Sequence, residues 1–386
     1  MIFALPYICF VLLFFFFQYV PKSIGKTKLF YIQHSWVFLS LLAFLGCRGL
    51  IVTDWVSYYP FYDEAPTLFD SGAFSFISRY PWEKGFLTLS CFIKIFTANY
   101  FVYQFILFAV DLCIIEAIIR EYVKTDYYVI AYIAFFVFQG FVMEVNLLRN
   151  SQAILLFLLS LKYVRSKKFF KFLTLNLFGT LFHASSVFYI PLYFILRHTF
   201  SKRFLLLAFL FGNAIFFAHI SWVSGILLKV LPLLGQSRLA SMIKAYKVLT
   251  GEAAAYSLGF GFLERTGMYL LVVHHQRKML QNDEKVQPFI NLFYLFSFVY
   301  LFLSEFTIFV ERISMLFVAG YWIVVPALYG CMKRSWKKCF LLIFILYCIL
   351  KMLVQCDEPY YRYSNVLLET QNYNRSYIIF KRSMKK

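Results

Sequence analysis

The stretch RSKKFFKFLTLNLFGTLFHASSVFYIPLYFILRHTFSKR, residues 165–203, decides how the whole chain is read. Basic clusters stand at both ends: Arg165, Lys167, Lys168 and Lys171 on one side, Arg197, Lys202 and Arg203 on the other. Between them runs an apolar segment interrupted only around Phe182-His183-Ala184-Ser185-Ser186. Basic residues gather in the short cytoplasmic loops of membrane proteins, so both ends belong on one side. The segment is then a hairpin of two short helices, residues 169–182 and 184–197. Neither half spans the roughly 30 Å of hydrocarbon, so the turn belongs below the outer surface, in a recess lined by protein or water.

The rest of the chain agrees with that class. Of 386 residues, 61% are hydrophobic, 22% aromatic and only 15% charged, and the mean hydropathy is +0.70. Soluble domains are nearer half apolar and a quarter charged. A disordered chain, a coiled coil, a small disulfide scaffold and a multidomain soluble enzyme are all excluded. The formal net charge of +19 reads as cytoplasmic loop charge, not as a nucleic-acid surface. Of the eight cysteines, Cys9, Cys91, Cys113, Cys331 and Cys348 fall inside apolar runs, without close pairs at metal-ligand spacing.

Further clusters bound further apolar runs: Lys22, Lys26 and Lys28; Arg120 and Lys124; Arg277, Lys278 and Lys285; Lys333, Arg334, Lys337 and Lys338. The expected fold is all-α, a polytopic helical membrane protein with about 12 transmembrane helices. The expected spans are 2–20, 30–47, 99–119, 127–145, 150–164, 169–182, 184–197, 204–224, 259–275, 289–305, 312–331 and 338–355. The first is an uncleaved helix, because no small-residue cleavage site follows it. With every cluster cytoplasmic, the amino terminus lies outside. Residues 1–355 form a single transmembrane domain with outer loops at about 48–98 and 225–258. A tyrosine-rich tail, 356–386, is also outside. Residues 83–97, apolar but interrupted by Lys94, read as a helix lying in the outer interface. In the second outer loop, Arg238, Lys244 and Lys247 recur at roughly helical spacing, which suggests an amphipathic helix. No internal repeat is visible.

A second population of arginines does not fit the positive-inside pattern: Arg48, Arg79, Arg149, Arg265 and Arg312, all at or just inside the outer surface. A charge near the bilayer centre costs about 2.5–3.5 kcal/mol on insertion scales, so such residues need a purpose. Each has a plain explanation in an acid nearby: Arg149 with Glu144, Arg265 with Glu264, Arg312 with Glu305 or Glu311. As a set they suggest convergence on one anion, because guanidinium groups offer bidentate donors to phosphate oxygens. A lipid-linked pyrophosphate is the anion expected at that depth.

Three residues are candidates for proton transfer. Asp54 and Glu83 are outer carboxylates suited to general-base work, although Glu83 also suits a helix start. His183, at the hairpin turn, is either a structural hydrogen-bonding residue or a phosphate contact or proton acceptor. Trp55, Tyr58, Tyr59, Tyr62 and Trp82 are candidates for stacking on sugars, or for an aromatic interface belt. Asp63, Glu64 and Asp70 read as solvated. No metal or cofactor is expected.

The ordered set Arg48, Asp54, Tyr58-Tyr59; Trp82-Glu83-Lys84-Gly85-Phe86; Leu148-Arg149-Asn150-Ser151-Gln152; Phe182-His183-Ala184-Ser185-Ser186; and Glu311-Arg312 resembles the EpsG-type family. These are multispanning proteins of bacterial exopolysaccharide and capsule operons, grouped with the Wzy-type polysaccharide polymerases. The resemblance implies a GT-C-like glycosyltransferase of the plasma membrane. It would transfer a growing glycan from undecaprenyl pyrophosphate to the non-reducing end of the next lipid-linked repeat unit, at the outer face. Arg48, Arg149, His183 and Arg312 would surround the pyrophosphate, and Asp54 or Glu83 would activate the acceptor; Arg79 and Arg265 are added as pyrophosphate contacts from their depth alone. Asn150 and the aromatic residues would contact sugars. The implied partners are the lipid-linked oligosaccharide, membrane lipids, a flippase and a chain-length regulator, and not nucleic acid. Three other functions remain open from the residues: a flippase for the same lipid, a membrane O-acyltransferase using His183, and a non-enzymatic scaffold of an export complex.

Overall fold

The computed structural model describes residues 2–18, 26–233 and 259–383, together with 236, 241 and 243. It is all-helical, with no strand among the described residues. Two compact units emerge, one from residues 1–197 and 321–386 and the other from 198–320.

The first unit begins with α1 (Leu5–Gln18) and α2 (Lys26–Leu41), the latter continued by a π-helical turn, Leu42–Gly46. The first loop folds as three short helices: α3 (Trp55–Glu64), α4 (Ala73–Arg79) and α5 (Lys84–Lys94). The long α6 (Tyr100–Tyr122) starts where the Asn99 side chain accepts from the N–H groups of Phe101 and Val102, at 2.8 and 3.3 Å. Such a cap satisfies donors that no intrahelical carbonyl reaches. Next come α7 (Tyr128–Phe135), a second π turn (Phe136–Gly140) and α8 (Phe141–Asn146). Gln139 takes φ 65° in that turn. Then α9 (Leu148–Arg165) leads into α10 (Phe169–Gly179) and α11 (Leu192–Leu196), with a 3₁₀ turn, Ala184–Tyr189, between the last two. The hairpin expected at residues 169–197 is therefore present, reversing just after Gly179, and α10 packs along α9.

The second unit holds α12 (Lys202–Phe217), α13 (Trp222–Leu233), α14 (Phe260–Asn282), α15 (Gln287–Phe302) and α16 (Thr307–Phe317). The expected span 204–224 is interrupted. Its helix stops at Phe217, His219 adopts φ 52°, and α13 departs at 79°. The cause lies at the start of α13, where both Glu305 oxygens accept N–H groups, Val223 at 2.7 Å and Ser224 at 3.2 Å. A carboxylate there meets orphan donors and the positive end of the helix dipole. Arg238, Lys244 and Lys247 lie outside the described residues.

Residues after 320 comprise α17 (Gly320–Cys331), α18 (Arg334–Cys356) and, in the tail, α19 (Tyr373–Ser383). Leu342, Ile343, Leu346, Leu350 and Val354 of α18 are all exposed. Their spacing of three to four residues forms one apolar stripe, as a lipid-facing helix requires. Among the described residues four helices are long and apolar enough to cross a membrane alone, or six with two bent pairs. The chain is a polytopic helical membrane protein. Several of the twelve expected spans are helices shorter than a bilayer, among them Leu5–Phe17, His34–Gly46 and Phe169–Gly179.

The tail packs on the first loop. Gly49 donates to the Ser364 carbonyl at 2.9 Å, Val52 to Tyr360 at 2.8 Å, and Val366 to Cys47 at 2.9 Å. Val52 sits at φ 63°, a left-handed conformation that costs a β-branched residue about 1–3 kcal/mol. Tail and first loop therefore share one face of this unit.

Candidate functional site

Arg149 occupies the first turn of α9, just after the break at Leu147 that separates α8 from α9. Its side chain is fixed from several directions. One terminal nitrogen donates to Glu83 Oε2 at 2.5 Å. The guanidinium carbon lies 4.6 Å from the ring centroid of Trp82, and the Tyr58 hydroxyl bonds to the same side chain. Burial raises that hydroxyl above its ordinary value despite Arg149, so Tyr58 stays neutral. The Nε of Arg149 is buried and makes no hydrogen bond in this structure. A buried donor left unmet costs about 1–3 kcal/mol, an uncommon feature that an anion's oxygen would relieve.

Glu83 ties that arginine to the hairpin. Its second oxygen accepts the Ala184 N–H at 3.1 Å. Burial by itself would raise the Glu83 carboxyl; backbone N–H groups at Glu83 and Ala184, together with Arg149, outweigh it and hold the group below 4.5. Nearby, Phe86 N–H donates to the Leu181 carbonyl at 3.1 Å. A Cβ on Gly85 would stand 2.5 Å from Leu181 Cβ and 2.7 Å from its carbonyl oxygen. Only glycine permits this approach of α5 to the turn.

The turn itself is a polar cluster. His183 Nδ1 lies 2.7 Å from Ser185 Oγ and accepts the Ser185 N–H at 3.3 Å. An accepting Nδ1 places the proton of a neutral imidazole on Nε2, by assignment from the hydrogen bonds. Asn150 Oδ1 accepts from Ser185 Oγ at 3.3 Å and from the Tyr189 hydroxyl at 3.2 Å. Arg149 and Asn150, adjacent in sequence, thus hold opposite parts of one assembly, with α5 on one side and the hairpin on the other.

Asp54 is placed from the other side of the same break, by Asn146 at the end of α8. Asn146 Oδ1 accepts the N–H groups of Thr53 and Asp54, each at 3.1 Å, while its amide donates to Thr53 Oγ1 at 3.0 Å. Thr53 Oγ1 donates to Asp54 Oδ1 at 3.0 Å. Asn146 and Tyr189 had no part in the sequence reading, and Ser185 entered it only as a residue of the turn motif. Asn146 alone carried a signal, as an amide next to a helix boundary.

The five outer arginines do not share one environment. Arg48 is 2% exposed, with its terminal nitrogens committed to the carbonyls of Leu45 at 2.7 Å and Glu144 at 3.1 Å. Glu144 is also buried, as are Asp111 and Ser151, whose hydroxyl donates to Asp111 at 3.3 Å. This polar layer supports the start of α9 from below. Arg79 ends α4 and is exposed. Arg265 and Arg312 belong to the other unit, where Arg265 sits 3.9 Å over the Tyr300 ring and Arg312 is exposed. Arg149 pairs with Glu83 and not with Glu144, because the break at Leu147 turns its side chain toward the first loop. Glu305 caps α13 through the N–H groups of Val223 and Ser224.

Among the aromatic candidates, Trp55 (5% exposed), Tyr58 (5%) and Tyr62 (0%) are buried in the first loop's own core with Phe61 and Phe86, and Trp82 and Tyr59 pack against it. Trp82 additionally offers its face to Arg149. Among the described residues no three His, Cys, Asp or Glu side chains converge as metal ligands. Among the groups that do converge, the Nε of Arg149 is a buried, unmet donor suited to an anion.

A family model described as the EpsG family matches residues 31–365. The chain belongs to the EpsG family. No curated protein and no solved structure matches it significantly. The matched region of this EpsG-family chain contains the whole of the site, from Asp54 and Glu83 through Asn146 and Arg149 to the hairpin.

Proposed function

We propose that this protein is a polysaccharide polymerase whose reaction centre is the Arg149–Glu83–hairpin assembly. The donor would be a glycan on undecaprenyl pyrophosphate and the acceptor the non-reducing end of a lipid-linked repeat unit, met at the outer face of a bacterial plasma membrane in a GT-C-like scaffold. Membership of the EpsG family supports the polymerase, and the buried, unmet Nε of Arg149 carries the assignment of the pyrophosphate.

In this mechanism an acceptor hydroxyl oxygen bonds to the anomeric carbon while the bond from that carbon to the pyrophosphate oxygen breaks. Negative charge grows on the departing oxygens. Arg149, preoriented by Trp82 and Glu83, meets it without reorganising, which is where electrostatic catalysis is most effective. His183, with its proton on Nε2, donates a second hydrogen bond to the leaving group. The hydroxyl proton passes to Asp54. Glu83 is the brace and not the base, because a carboxyl held below its ordinary range is a weak proton acceptor. Arg48 holds the α8–α9 junction from the interior.

The test is a gel of surface glycan from cells that carry Arg149→Ala. A single short band where the wild type gives a ladder is the expected result. Loss of all surface glycan, the single unit included, would point to a flippase, and an intact ladder lacking only acyl groups to an acyltransferase. In a purified assay Asp54→Asn should abolish turnover while donor binding persists.

A further inference from the structure

Where the tail meets the first loop, a cleft of about 100 Å³ opens to solvent. Its floor includes Trp55 and Phe380, and its walls carry Arg362, Glu369, Thr370 and Arg375. The Phe380 and Tyr373 rings of the tail meet the Trp55 indole edge-on, at 6.1 and 5.5 Å. Arg362 and Arg375 are exposed, and among the described residues neither forms an ion pair. Two guanidiniums, one carboxylate, a hydroxyl and an aromatic floor together form a surface for a polyhydroxylated, negatively charged ligand.

The cleft's position relates it to the reaction centre. Trp55 lines the cleft and Tyr58 contacts Arg149. The two residues are three apart on α3, about 4.5 Å along the axis. The cleft and the reaction centre are therefore bounded by neighbouring turns of the same helix. Glu369 and Thr370 add an acceptor and a hydroxyl beside the two guanidiniums, which suits the several hydroxyls of a sugar.

We propose that this cleft is a glycan subsite, which holds a sugar bearing a carboxylate or phosphate a short distance from the reacting end. The inference rests on the polymerase proposed above and deepens it, since it makes the substrate an acidic polysaccharide.

The full chain in phosphatidylcholine nanodiscs is titrated by calorimetry with tetragalacturonate and with neutral cellotetraose. Tetragalacturonate should bind saturably, with the neutral tetramer weaker by about tenfold and the double variant Arg362→Ala/Arg375→Ala weaker for the acidic probe by about tenfold. Equal affinity for both probes, or no change in the double variant, overturns the proposal. So does loss of acidic-probe binding in phosphatidylglycerol nanodiscs, which would make the occupant a lipid headgroup. Arg362→Gln/Arg375→Gln, with a melting temperature equal to the wild type, repeats the test should the alanine form misfold. In reconstituted polymerisation the double variant should yield shorter chains. A wild type that makes no polymer refutes the polymerase, whereas a polymer of unchanged length in the variant refutes only the subsite.

Discussion

Arg149 combines an ion pair, an aromatic face and an unmet donor in one side chain. Arg149→Lys keeps the charge but loses the planar stack and the fork, so elongation should fall about a hundredfold, measured as initial rate with lipid-linked repeat units. Retention of the full rate would show that charge alone matters. Glu83 sets a pH dependence. Its folded value lies below 4.5, so the ion pair stabilises the protein above that pH and the contribution disappears as pH falls through the folded value. Melting temperature and rate should both decline below about pH 4.5, and Glu83→Gln should remove that part of the profile. The sequence contained Arg149, Glu83 and His183 as candidates, yet the pairing of Arg149 with Glu83 was not legible. The two are 66 residues apart, and the tertiary approach of α5 to the turn, together with the break at Leu147, selects Glu83 over the nearby Glu144.

The hairpin was legible because charge at both ends left one topology, and α5 was legible because Lys94 and its short length ruled out a span. What the pattern did not contain was how the two meet. That contact depends on Gly85, where a methyl group would strike Leu181 backbone and side chain. Gly85→Ala should destabilise the protein by about 1–3 kcal/mol, as overpacking does, and should separate Glu83 from Ala184. The check is a lowered melting temperature together with lost elongation, while an unchanged pair of values would show that the contact is dispensable. The break after Phe217 was equally hidden, because both sides of it are apolar and the start of α13 is held from a distance, by the Glu305 carboxylate and by the Phe302 carbonyl that accepts from Trp222.

For the chain as a whole, composition and basic clusters were sufficient for a polytopic helical membrane protein, and the ordered motifs for the EpsG family. The expectation of five converging arginines came from their common depth, which says nothing of rotamer or partner; Arg48 is consumed by backbone carbonyls and Arg79 is exposed. The shared face of tail and first loop predicts a topology result. Single cysteines at Phe69 and Leu368 in a background lacking native cysteines should both react with an impermeant maleimide from outside the cell, and one at Lys124 should not. Opposite labelling of the first two would break the tail contact described above. The central claim, that Arg149 draws off a pyrophosphate leaving group as glycan units are joined, is tested most directly with purified protein in liposomes and a synthetic lipid-linked repeat unit. The account predicts a ladder with one free carrier pyrophosphate released per linkage, and neither ladder nor release from Arg149→Ala. A ladder of equal length from that variant, or polymer formed without released pyrophosphate, would contradict it.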